Sequence, residues 1–116
     1  MKAVRIPLLI TEFGEFELAN AIGLSLFRKD VQAESATQAL LHYREDIREG
    51  VVRAVPIPRD AFERGQQISE KYAPRVGTRT LDVLHAACAL ALNVDTFYTF
   101  DRNQAELASA LGLRVR

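Results

Sequence analysis

Three acids in this 116-residue chain stand where a carboxylate needs a physical reason: Glu17, Asp82 and Asp101. Glu17 lies in the segment FELANAI. On a helix advancing about 100° per residue, Phe13, Asn20, Ala21 and Leu24 fall within about 60° of it, and Phe16 and Phe27 flank that arc. A carboxylate inside an apolar stripe is expensive to bury unless it is paired or bound to a metal. The alternative is a partly exposed glutamate at the edge of a buried helix, or an ion pair to an arginine elsewhere. Glu12 and Glu15 point away from this arc and read as solvated first-turn acids favoured by the helix dipole. Asp82, in LDVLH, shares a helical face with Ala86 and Ala89 and sits beside Arg79 and His85, so small side chains leave room for something to approach it. An aspartate in the first turn after Thr78 or Thr80 is also ordinary dipole complementation. Asp101 lies just past a strand expected over 96–100, and the spacing of DRNQ is that of an acidic capping box, with Asn103 as a competing cap.

Each acid alone has such a structural explanation. The three taken together point further. Clustered carboxylates repel one another and would protonate unless a cation neutralised them. Oxygen-only ligands select hard cations such as Mg²⁺ or Mn²⁺, which keep several waters. The chemistry suited to that arrangement is phosphoryl transfer by a metal-activated water. His85 is expected to be a packed histidine on a helix face, since oxygen-rich company does not favour imidazole. The sequence contains no Cys/His zinc spacing, glycine-rich phosphate loop, G-x-S-x-G elbow or dinucleotide fingerprint to compete.

The elements that must position these acids follow from hydrophobic patterning and breakers. A strand is expected over 6–11 with Thr11 as a helix cap, then helices over 12–28 and 34–48, the second closed by Gly50. A strand over 51–57 leads to a helix over 58–73, broken at Pro74 and Gly77, and then to an alanine-rich helix over 78–93. A strand over 96–100, a helix over 103–111 stopped by Gly112, and a strand over 113–115 complete the chain. The order β-α-α-β-α-α-β-α-β implies an α/β fold with a mostly parallel sheet and helices on both faces, because parallel neighbours need crossover connections. In such sheets ligands bind beyond the carboxyl ends of the strands. Length and the absence of linker-like composition imply one domain. Fifteen Lys+Arg balance fifteen Asp+Glu, which argues against coating nucleic acid or membrane through a global field. A single cysteine excludes an internal disulfide and suits a reducing cytoplasm. The apolar run near the N-terminus is too short for a signal peptide or a membrane helix, since Glu12, Glu15 and Glu17 interrupt it.

The segments LLITEFGEFELANAI (8–22), GTRTLDVLHAACALALNVDTFYTFDRNQ (77–104) and AELASALGLRV (105–115) resemble the PIN-domain ribonucleases of the VapC toxin type. The resemblance implies a three-layer α/β/α fold, Mg²⁺- or Mn²⁺-dependent cleavage of an RNA substrate, and a small antitoxin protein as inhibitor. It places family acids on Glu17, Asp82 and Asp101, a hydroxyl near the site on Thr99, and recurring polar positions on Asn20 and Arg79. Asn103 stands where relatives carry arginine in an F-D-x-R-Q pattern. Arg75, Arg79 and Arg102 are candidate phosphate contacts or, alternatively, solvated surface charge.

One departure is large. The family opens with a strand bearing an Asp, commonly D-x-S, and here no Asp precedes Asp30, so the chain is expected to start at the family's second strand. Loss of a central strand leaves unpaired backbone groups. An upstream segment, a rearranged sheet using residues 1–5, or exchange within a homo-oligomer would fill the gap. The competing readings are therefore a metal-dependent ribonuclease, a catalytically inactive PIN remnant that binds partners or oligomerises, and an unrelated α/β phosphatase or transferase.

Overall fold

The computed structural model describes residues 6–116. The elements run β1 (Leu8–Thr11), α1 (Glu12–Phe27), α2 (Ala33–Arg48), β2 (Val52–Val55), α3 (Ala61–Val76), α4 (Thr80–Ala91), β3 (Thr96–Phe97), α5 (Arg102–Ala110) and β4 (Arg114–Val115). This is the expected order, and the fold is mixed α/β with parallel strands. Residues 1–5, offered above as a source of extra strand, lie outside the described residues.

The chain forms two compact units, one ending at Ile57 and the other spanning Pro58 to Arg116. In the first, β1 pairs with β2 in parallel, Leu8 opposite Val52 through Thr11 opposite Val55, and α1 and α2 form the crossover that parallel pairing requires. Pro7 has no N–H, and the ladder opens one residue later with the Leu8 N–H donating to the Val51 carbonyl at 3.0 Å. Strand becomes helix abruptly at Thr11, whose hydroxyl caps α1 by accepting from the Gly14 N–H at 2.9 Å.

In the second unit β3 and β4 form a two-residue parallel pair connected through α5. The hydrophobic core lies here. Ala61, Ala86, Ala87, Leu107 and Ala108 are fully buried, with Val83 and Cys88 nearly so. Alanines on α4 and Gly65 on α3 let these helices approach closely: a Cβ at Gly65 would stand 3.9 Å from Val83 and 4.0 Å from Ala87. Ala89, Ala108 and Leu113 bind α4, α5 and the start of β4 into one apolar cluster with Val94, Phe97 and Val115.

Helix ends explain most departures from the expected boundaries. After α1, α2, α4 and α5 the residue at Lys29, Gly50, Asn93 and Gly112 takes positive φ, and the following N–H reaches back five residues, as from Asp30 to the Ser25 carbonyl at 2.9 Å. Asn93 therefore lies past the end of α4 and not within it. Pro74 does not break α3, contrary to expectation. In the last turn it removes only its own N–H bond, and the helix continues to Val76 before Gly77, at φ 70°, ends it by donating to the Ala73 carbonyl at 2.9 Å. The expected start of α3 at Pro58 moves to Ala61, because 58–61 closes as a turn with the Ala61 N–H on the Pro58 carbonyl at 3.0 Å. Among the described residues no helix is long and apolar enough to cross a membrane.

Candidate active site

Asp101 is the best defined of the three acids. Its carboxylate caps α5, Oδ1 accepting from the Gln104 N–H at 2.8 Å. Its own N–H donates to Thr99 Oγ1 at 3.0 Å, and the Thr99 hydroxyl donates onward to Gln104 Oε1 at 2.6 Å. In a simple capping box the residue at the third helical position reaches back to the cap N–H directly. Here a threonine hydroxyl is inserted between them. Thr99 is held on its other side by its backbone N–H, which donates to the Arg116 carbonyl at 3.2 Å, so the loop after β3 continues the β3–β4 pairing. The full strand expected over 96–100 is not formed, because the partner strand β4 offers only two residues. Between the two choices open in the sequence, Asp101 and not Asn103 is the cap.

Asp82 occupies the first turn of α4 and is half-buried. The cap expected from Thr78 or Thr80 is absent: Arg79 occupies the cap position without a side-chain bond, and the Thr78 hydroxyl is buried with no partner among the described residues. Ala86 and Ala89, expected to leave open space beside the carboxylate, are buried instead, with Ala89 packed on Ala108 and Leu113. Their small size serves helix packing. His85 is half-buried on the same helix.

Glu17 belongs to α1 in the other unit and is half-buried. The expected buried apolar stripe around it is not formed. No residue of α1 is buried, and Asn20, Ala21 and Leu24 on its own face are exposed, because this helix is apolar on most sides and has more such surface than its unit covers. Glu15, expected to be a solvated first-turn acid, has a structural role: the Tyr43 hydroxyl of α2 donates to its Oε2. Burial, then this hydrogen bond and the glutamate charge, push the Tyr43 phenol from 10.0 up to about 12. Burial likewise raises the Cys88 thiol, which leaves it packed and unreactive at neutral pH. Arg75, Arg79 and Arg102 are all exposed.

The structure thus brings Thr99, Asp101 and Gln104 together, and leaves Asp82 and Glu17 on separate helices. Among the described residues neither unit by itself gathers three His, Cys, Asp or Glu side chains that could hold a metal ion. The donor chemistry nonetheless suits one class of group, since carboxylate oxygens match a hard divalent cation and not zinc or copper. Gln104 is the residue that sequence reading did not single out. Its signal was present in the DRNQ spacing, which marks it as the third helical residue after an acidic cap.

The family model for the PIN domain matches residues 6–110 of this chain. Comparison with curated proteins and with solved structures found no match.

Proposed function

This chain belongs to the PIN-domain family, a family of nucleases that generally act on RNA and use divalent metals, and from that premise we propose that it is a metal-dependent endoribonuclease of the VapC toxin type. The observation that carries this reading is the family match, which spans all three acids, Glu17, Asp82 and Asp101. These residues would hold Mg²⁺ or Mn²⁺. The ion, when bound, supplies positive charge that acidifies a water and offsets charge on the phosphate. Asp101 contributes a carboxylate with Oδ1 held by the Gln104 N–H and with its own backbone N–H held by Thr99, and so costs little to order. The exposed Arg75, Arg79 and Arg102 contact the phosphates of the RNA, and Asn20 and Thr99 are supporting polar groups. In this proposal a small antitoxin protein is the inhibitor, the chain works as a homo-oligomer and the setting is the cytoplasm. Membership of the PIN family sets aside an unrelated phosphatase or transferase.

The test is RNA cleavage in Mn²⁺ by the unaltered chain and by Asp82→Asn. Loss of cleavage in the variant supports the assignment, and an unchanged rate removes Asp82 from the site. A second reading, a PIN-derived module that binds proteins without cutting RNA, is favoured by one observation: neither unit alone completes a three-ligand group among the described residues. Absence of any Mn²⁺ uptake in a calorimetric titration of the full chain selects that reading.

A further inference from the structure

We propose that Gln104 is a positioning residue for Asp101, acting through the hydroxyl of Thr99; this rests on the metal-dependent reading above. The three residues form a closed ring. The Asp101 N–H donates to Thr99 Oγ1, the Thr99 hydroxyl donates to Gln104 Oε1, and the Gln104 N–H donates to Asp101 Oδ1. Each group in the ring has its direction set by the next. A threonine hydroxyl has one proton to give, and Gln104 takes it. The Thr99 oxygen is therefore turned as an acceptor towards the Asp101 backbone, and its proton is not available to the Asp101 carboxylate or to an incoming phosphate.

Burial separates this ring from an incidental surface contact. Gln104 is buried, 9% exposed, while Asp101 itself is exposed. The α5 helix that carries Gln104 is anchored by Leu107 and Ala108, both fully buried. A rigid helix thus holds the amide, the amide holds the hydroxyl, and the hydroxyl holds the backbone of the acid. The ring fixes one carboxylate oxygen, Oδ1, and the backbone N–H of the acid. Outer partners of this kind orient ligating groups, and their removal typically weakens metal binding about 10- to 100-fold.

The experiment is calorimetric titration of the full chain with Mn²⁺, with circular dichroism to confirm folding. Gln104→Met keeps the shape and removes the acceptor, and Thr99→Val removes the hydroxyl. Each is expected to weaken Mn²⁺ binding about tenfold, and the double variant no more than either alone, because both break one chain of bonds. Thr99→Ser retains the hydroxyl and is expected to retain the affinity, which keeps the proposal open to refutation should Gln104→Met fail to fold. A purely structural role for Gln104 would lower the melting temperature and leave the affinity of the folded protein unmoved, and that result overturns the proposal, as does additivity in the double variant. Asp101→Asn separates the two levels of inference. If it abolishes binding while Gln104→Met leaves binding intact, only the role of Gln104 falls. If Asp101→Asn binds Mn²⁺ as well as the unaltered chain, or the unaltered chain binds none, the metal site falls and Gln104 with it.

Discussion

Replacing Asp101 by asparagine and by alanine separates the cap that its carboxylate forms from the metal binding proposed for it. As the cap of α5, Asp101 satisfies the Gln104 N–H at 2.8 Å, and the nine-residue helix behind it carries the fully buried Leu107 and Ala108 into the core. Removing a side-chain cap costs about 0.5–2 kcal/mol, typically about 1, and asparagine caps about as well as aspartate. Loss of the negative charge at the helix N-terminus adds about 0.3–1 kcal/mol, at the lower end here because Asp101 is exposed and screened. Asp101→Asn is therefore expected within about 0.5 kcal/mol of the unaltered chain, and Asp101→Ala about 1–2 kcal/mol below it. Urea unfolding followed by circular dichroism measures both, and an unchanged slope shows that the shift of midpoint is one of stability. Cleavage of RNA in Mn²⁺ follows the other pattern. At the proposed metal site both variants would lose a charged oxygen ligand, and both are expected to fall by at least the 10- to 100-fold typical of outer-shell partners. If Asp101→Ala is as stable as Asp101→Asn, the cap contributes nothing and the account of α5 is wrong. If Asp101→Asn cleaves at the unaltered rate, the carboxylate has no part in the chemistry.

Two further outcomes concern the first unit. The Tyr43 phenol is raised from 10.0 to about 12, chiefly by burial and then by Glu15, so the folded state favours the protonated form. That stabilisation is fully present below pH 10 and is lost as pH climbs from about 10 to about 12; Tyr43→Phe is expected to remove this alkaline loss from the unfolding midpoint, and an identical pH profile would refute it. Gly14→Ala and Gly23→Ala are both helical substitutions with the same propensity gain, about 1 kcal/mol. A Cβ at Gly23 meets nothing within 4 Å, whereas one at Gly14 would stand 2.8 Å from Ile10 Cγ1, an atom of a stiff β-branched chain in β1. Thermal unfolding should show Gly23→Ala stabilised and Gly14→Ala lower by about 1–3 kcal/mol; equal effects would mean that Ile10 yields freely.

Much of the fold was legible because it depends on local chemistry. The order of elements follows from alternation of apolar runs with Gly and Pro. Thr11 is recognisable as a cap, and Gly50 and Gly112 as helix ends, because a short hydroxyl and a residue free of Cβ strain suit those places by themselves. Lys29 and Asn93 end helices in the same left-handed geometry, yet nothing local singles out the lysine. The helix stops there because the next N–H reaches back five residues and closes the turn, and that is a property of the assembled turn. Pro74 misled for the converse reason: its local cost is real, but in a last turn there is only one bond for it to remove.

The acids show the same division. Sequence by itself singled out Glu17, Asp82 and Asp101 as candidate carboxylates whose oxygens suit a hard cation, and determined that the chain resembles the PIN family to which it belongs. Tertiary structure decided what each neighbour does. It assigned Ala86 and Ala89 to helix packing, gave Glu15 a tyrosine partner, and closed Thr99, Asp101 and Gln104 into one ring. Residue type limits which bonds a side chain can make, and spacing limits which neighbours lie along its own element. Which of those bonds forms depends on what the rest of the chain brings alongside, and on which donors it takes out of water.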